Sequence, residues 1–257
     1  MIEEDWLSRP IQLARSSGGV YAFKDPWQGL VCGGVQPWPP PELVQKLYKS
    51  RQSRAYAGEN LGMATAAHGF YSDLQSMHAE DAVTWSVFGP LAYADPKVRS
   101  AYAAELLSCL LKEQQRAEAT GIWLWRRIPH PETLVSGGPE IDFGIQTERV
   151  LLLGEAKWRS HVGAMQGVNR AKDQIELRVE FCEKHGRLIY PRVQQFVVLM
   201  VSQDGQTLTS RHREMGTDRV LVAETTWEKV GGLAGHPWRD EVLAHLKWRQ
   251  DRSKPLA

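Results

Sequence analysis

The chain is poor in cysteine. Its 257 residues carry three, Cys32, Cys109 and Cys182, odd in number, far apart and without a CxxC pair. Neither a disulfide framework nor a cysteine-based zinc site is suggested. Surplus charge is also missing: 31 Lys and Arg face 30 Asp and Glu, for a formal net charge of +1. A protein that coats nucleic acid through bulk positive charge is excluded, and any nucleic-acid contact must come from local patches. Long apolar runs are absent too; stretches such as Phe196 to Val201 are too short to span a bilayer. The start, Met1-Ile2-Glu3-Glu4-Asp5-Trp6, has neither the basic opening nor the apolar run of a secretory signal. A cytoplasmic, reduced protein with no membrane association is expected. There is no internal repeat, low-complexity tract, P-loop or zinc pattern. The histidines (His68, His78, His130, His161, His185, His212, His236, His245) lack metal-ligand spacing and are expected on the surface or satisfied within the core.

What is present is ordinary globular composition, 42% hydrophobic and 24% charged, which excludes wholesale disorder. The length suits one large domain or two small ones, with a sizeable core. Tryptophan stands out at 10 residues. Such rings are expected to be buried or held at a ligand or partner surface.

Residues 1–75 form an extension expected to be irregular and to pack on a main domain spanning 76–257. The extension holds Gly18-Gly19, Gly33-Gly34 and Pro37-Trp38-Pro39-Pro40-Pro41, which break regular structure. Trp38, between prolines, is expected to close over the main domain. A helix is predicted from Glu42 to Ser53, with the prolines at its start. A second runs over 76–92, capped by Ser76, with Glu80 and Asp81 suiting the dipole of its first turn. A third opens at Asp95-Pro96 and ends at Gly121. The period then changes. Ile122 to Arg126 is a strand candidate, Glu140 to Gln146 alternates with strand period, and Val150 to Leu153 opens a buried strand continuing through Glu155 to Trp158. The turn at Thr147-Glu148-Arg149 makes the last two an antiparallel hairpin. A long helix over Ala164–His185, strands at Gln195–Ser202 and Arg219–Glu224, and a helix opened by Pro237 complete the chain. Three meandering strands followed by a helical crossover predict an α/β or α+β domain built on one central mixed sheet flanked by helices.

The chemistry concentrates on the hairpin. Residues two apart on a strand share a face, so Glu155 and Lys157 project together at the end of an apolar strand, and Asp142 lies on its neighbour. Carboxylates beside an ammonium suit phosphodiester hydrolysis. Hard oxygen ligands hold Mg²⁺ with several waters, and the metal polarises the phosphate and lowers the pKa of a bound water. Lys157 is placed to orient that water and stabilise the anionic transition state. The carbonyl of Ala156, between acid and lysine, is a further ligand candidate. Acids that interrupt an otherwise buried strand need partners or metal.

Pro139-Glu140-Ile141-Asp142 and Glu155-Ala156-Lys157 together resemble the motif of the PD-(D/E)xK nuclease superfamily, over roughly residues 76–250, with the proline displaced from the acid. The resemblance implies a restriction-endonuclease-like core and Mg²⁺-dependent cleavage of nucleic acid, with Mn²⁺ able to substitute. Asp142, Glu155, Ala156 and Glu80 would hold the metal, Lys157 would assist the water, and Gln174 on the following helix would support the site. Asp81 is the alternative to Glu80. Basic residues flanking the motif, Arg126, Arg127, Arg159, His161, Arg170 and Lys172, with His130 beside them, are candidates for phosphate contacts, which give salt-dependent affinity without sequence information. Two further basic stretches are Arg211-His212-Arg213 and Lys49, Arg51 and Arg54 with Tyr48 and Tyr56. DNA is favoured over RNA as substrate, and restriction, phage defence or repair as setting, by analogy of fold alone. Cutting both strands with one site per chain favours a two-fold dimer. The rival expectation is a catalytically silent subunit of the same fold that binds nucleic acid or protein within a larger assembly.

Overall fold

The computed structural model describes residues 2–15, 20–49, 51–52, 71–132, 138–160 and 172–253. Its centre is a five-stranded mixed sheet formed by β6 (Gly121–Arg127), β7 (Glu140–Gln146), β8 (Val150–Ala156), β9 (Gln195–Ser202) and β10 (Val220–Thr226), in the order β10-β9-β8-β7-β6. The pairs β6–β7 and β7–β8 are antiparallel, while β8–β9 and β9–β10 are parallel. The hairpin expected at Thr147 forms, with Thr147 N–H donating to the Val150 carbonyl at 2.8 Å. Both faces are covered, which is why these strands read as continuous apolar runs. Val150 and Leu152 enter one core and Leu151 and Leu153 the other. The first core is packed by α2 (Glu80–Tyr93), α3 (Pro96–Leu111), α6 (Trp227–Gly231) and α7 (Arg239–Arg252), the second by α4 (Gln174–Phe181). A short helix, α5 (Ser210–Glu214), lies between β9 and β10.

The first 75 residues hold more regular structure than their glycines and prolines suggest. An antiparallel meander, β1 (Ile2–Glu4), β2 (Pro10–Arg15) and β3 (Tyr21–Phe23), precedes α1 (Pro41–Lys49). A two-residue ladder, β4 (Arg51–Gln52) with β5 (Tyr71–Ser72), follows. α1 therefore stops short of the predicted Ser53, because Arg51 and Gln52 are extended. Leu30, Val31, Val35, Leu43 and Leu74 share a core with α2 and α3. Trp38 sits with ring centroids 6.4 Å from Trp27 and 6.1 Å from Trp85.

Other boundaries also differ from expectation, each for a local reason. Ser76 does not cap α2. Its hydroxyl accepts from His78 N–H and its own N–H closes the preceding 3₁₀ turn onto Asp73, so α2 starts at Glu80 with both acids in its first turn. Gly121 does not end α3. That helix stops at Leu111, where Lys112 takes a left-handed conformation (φ 57°), and Gly121 instead opens β6. α4 begins at Gln174 rather than Ala164. Asp173 caps it in a reciprocal box with Glu176, and a π turn (Cys182–Gly186) and a last turn (Arg187–Ile189) carry the chain on; residues 161–171 lie outside the described residues. β8 ends at Ala156, not Trp158, although Lys157 N–H still donates to the Val201 carbonyl at 2.8 Å.

Among the described residues, no helix is long and apolar enough to cross a membrane.

Candidate functional site

β7 changes direction at Asp142. Ile141 and Phe143, two apart, should share a face, yet they pack into opposite cores. The β7–β8 ladder ends at the Phe143–Gly154 pair. Beyond it the Asp142 carboxylate takes over as partner, accepting the Ala156 N–H at 2.8 Å. Trp125, facing this point from β6 between the paired Leu124 and Arg126, has φ 53°. For a bulky side chain that conformation is an outlier costing about 1–3 kcal/mol, so the twist is held in place by its surroundings.

Three elements converge on this end of β8. Glu155, wholly buried, receives the Lys157 ammonium at 2.6 Å. Lys157 also reaches Glu80 of α2 at 3.3 Å. The other oxygen of Glu80 accepts the Trp158 N–H at 3.1 Å and the Ser160 hydroxyl at 2.6 Å. Trp227 Nε1–H donates to the Lys157 carbonyl at 2.8 Å, fixing the lysine backbone from α6. The predicted face shared by Glu155 and Lys157 is therefore observed, and Asp142 and Glu80 stand beside it. Of the two helix acids, Glu80 is the one that joins Lys157; Asp81 turns to Lys46 of α1 at 3.1 Å.

Two cations at the site have no signature in the motif. Arg178 of α4 is fully buried and pairs with Glu155. Its terminal nitrogens also donate to the Gln174 carbonyl at 2.7 Å and the Glu140 carbonyl at 3.0 Å. Gln174 thus stands in the first turn of α4 and meets the site through its carbonyl and Arg178. Arg178 interrupts the buried run Ile175, Leu177, Val179 and Phe181, the same signal that singles out Glu155. Lys46 bridges Asp81 and Glu140, the latter at 2.6 Å, with its ammonium 5.1 Å from the Trp125 ring centroid. It lies 94 positions before Glu140, and nothing near it in sequence marks it.

The electrostatics follow from this packing. Burial, helped by the Glu155 and Glu80 carboxylates and opposed by Arg178 and Lys157, lifts the Asp142 carboxyl well above its ordinary range. Burial also raises Asp81 against the pull of Lys46. Burial works to discharge Lys157, but Glu155, Glu80 and Asp142 outweigh it and hold the ammonium more firmly charged than usual. Among the described residues, five carboxyl groups (Glu80, Asp81, Glu140, Asp142, Glu155) are gathered around three inward cations (Lys46, Lys157, Arg178), a formal excess of two negative charges when every acid is ionised. The exposed Arg127 touches the cluster only at 4.0 Å from Glu140.

Among the described residues, no three Asp, Glu, His or Cys side chains are disposed as a ready metal cage. The cations account for that: Lys157 and Arg178 draw Glu155 and Glu80 to themselves rather than to a shared point. The donor set, carboxylate oxygens on and beside β8, is nevertheless of the kind Mg²⁺ and Mn²⁺ take, and a formal excess of negative charge suits a divalent ion.

The flanking basic residues divide. Arg126 and Arg127 are exposed; Arg126 lies 5.4 Å from the Trp123 ring centroid, and Arg127 donates to the Gly138 carbonyl at 3.0 Å. Arg159 is half-buried. Lys172 is committed to Glu132 and Glu180 at 2.8 and 2.6 Å. Arg211, His212 and Arg213 pair with Glu176, Asp173 and Glu224, so that stretch serves the fold's own acids. His161, Arg170, Arg54 and Tyr56 lie outside the described residues.

No protein-family model matches the chain, and neither a curated protein nor a solved structure matches it significantly.

Proposed function

We propose that the protein is a metal-dependent nuclease of the PD-(D/E)xK kind, hydrolysing phosphodiester bonds of DNA in the cytoplasm. The observation that carries this reading is the meeting of Glu80, Asp142, Glu155 and Lys157, drawn from α2, β7 and the end of β8, at one largely buried point with excess negative charge. Asp142, Glu155 and the Ala156 carbonyl would hold Mg²⁺ or Mn²⁺, with Glu80 completing the set. When bound, the ion supplies charge neutralisation at the scissile phosphate and a more acidic water. Lys157, held charged by the three acids, stands as a donor to the attacking water and to the oxyanion that develops on phosphorus. Arg178 fixes the Glu155 carboxylate from behind, and Trp227 fixes the backbone of Lys157. Exposed Arg126 and Arg127, with Arg159 nearby in sequence, would take flanking phosphates.

The test is purified protein with Mg²⁺, with Mn²⁺ and with EDTA, on linear, circular and single-stranded DNA and on RNA. Cleavage is expected with either metal and is expected to fall at least about 100-fold in Lys157→Ala and Asp142→Ala, the order of loss from removing one stabilising donor. Undiminished cleavage in both variants sinks the site.

A second reading has one observation in its favour. The Glu155–Arg178 pair is fully enclosed, as in a purely structural ion-pair network, which suits a silent subunit that binds nucleic acid or protein. Mn²⁺ calorimetry separates the two: a silent subunit shows no binding that Glu155→Ala removes.

A further inference from the structure

α1 belongs to the N-terminal segment, outside the stretch that resembles a nuclease core, yet it delivers an ammonium to the edge of the carboxylate cluster. Lys46 is not a surface ornament. Its side chain is 14% exposed, it meets Asp81 at 3.1 Å and Glu140 at 2.6 Å, and it lies against Trp125, the residue strained opposite Asp142. Both partners are neighbours of proposed metal ligands. Asp81 follows Glu80 in the first turn of α2, and Glu140 precedes Asp142 by two positions on β7. The Glu140 carbonyl also accepts from Arg178, whose guanidinium holds Glu155. Every inner acid is thus within two positions, or one intervening side chain, of the groups that Lys46 touches.

We propose that Lys46 is a charge-balancing positioning residue of the site: its ammonium offsets Asp81 and Glu140 and thereby sets how strongly the inner acids draw a divalent cation. This role rests on the nuclease reading, and it makes the N-terminal segment a working part of the site. Two effects of opposite sign separate it from that of a structural prop. A prop, when removed, loosens α1 and weakens metal binding. A balancing charge, when removed, leaves a more negative cluster, and cation affinity rises. Coulomb's law for a unit charge about 10–12 Å from a divalent ion, at an effective dielectric of about 40, makes that rise about tenfold.

Mn²⁺ titration by calorimetry on the full chain decides the matter, using wild type, Lys46→Met, Lys46→Arg and Glu155→Ala. The expected result is Mn²⁺ binding in wild type that Glu155→Ala removes, about tenfold tighter binding in Lys46→Met, and wild-type affinity in Lys46→Arg. Unchanged or weaker binding in Lys46→Met overturns the role of Lys46 and leaves the nuclease reading standing. Wild-type protein without Mn²⁺ binding dependent on Glu155 overturns the nuclease reading, and the role of Lys46 with it. If Lys46→Met does not fold, Lys46→Gln, which keeps a polar amide and removes only the charge, takes its place: tighter binding than wild type supports the role, and unchanged or weaker binding overturns it.

Discussion

Arg178 shows what a single side chain does at this site. A guanidinium with no solvent contact needs its charge paired and most of its donors met, and here Glu155, the Gln174 carbonyl and the Glu140 carbonyl do this for the charge and the two terminal nitrogens, while Nε has no partner among the described residues. Removing one member leaves the other charged and enclosed, a loss of about 3–5 kcal/mol. Arg178→Met is therefore expected to lower the urea midpoint of the metal-free protein strongly, and Arg178→Met combined with Glu155→Gln to recover much of it. A single variant as stable as wild type would show the pair to be idle. At this scale the sequence was partly legible. Asp142, Glu155 and Lys157 break a hydrophobic period, and polar residues where core belongs need explanation. Lys46 breaks nothing local: α1 is amphipathic without it, and its partners stand far along the chain.

At the scale of elements, β7 and β8 are fitted to one another through ring and glycine. The Phe143 ring lies over Gly154, where a Cβ would stand 2.2 Å from it. Gly154→Ala is expected to cost about 1–3 kcal/mol by overpacking, seen as a lower denaturation midpoint with an unchanged slope, and to be partly relieved by Phe143→Leu. Equal stability would mean that the hairpin yields easily there. Strands were the most readable elements, and β9 runs from Gln195 to Ser202 as its apolar residues predict, because enclosure on both faces leaves no polar position to blur the ends. Helix ends were less readable. The start of α4 was available in Asp173-Gln174-Ile175-Glu176, a capping box. The end of α3 was not, since Lys112 adopts a conformation usually left to glycine. The meander β1–β3 was hidden by the shortness of its strands.

Over the whole molecule, α7 clasps the N-terminal segment. Trp248 Nε1–H donates to the Glu4 carbonyl at 2.9 Å, and Arg249 donates to the carbonyls of Gly29 and Met77 at 2.9 Å and of Ser76 at 3.2 Å. His245, fully buried, has its Nε2 2.9 Å from Arg249 Nε and 3.1 Å from the Gly29 carbonyl, and packs edge-on against Trp6. A guanidinium beside the enclosed ring favours neutral imidazole. Burial, with the Arg249 charge beside it, holds the His245 pKa well below its usual 6.5. The unfolded chain then binds the extra proton, so stability rises with pH in that range. The contribution is complete above about pH 6.5 and is lost as pH falls below it, by up to about 1.4 kcal/mol per unit. Thermal unfolding between pH 7.5 and 5 is expected to show this decline, and His245→Gln to reduce its slope. Some slope should persist, since burial depresses His236 in the same direction. An identical slope in the variant would remove His245 from the account.

The clasp also orders events during synthesis. Gly29 and Arg249 are 220 positions apart, so the opening strands leave the ribosome long before the helix that receives them has been made. At about 5–20 residues per second, the segment bearing Lys46 waits roughly ten to forty seconds without that anchor. The acids of α2, β7 and β8 are translated in the interval. The nascent chain thus holds its carboxylates before α7 can lock the N-terminal segment down, and that segment gains its anchor only once α7 has been made.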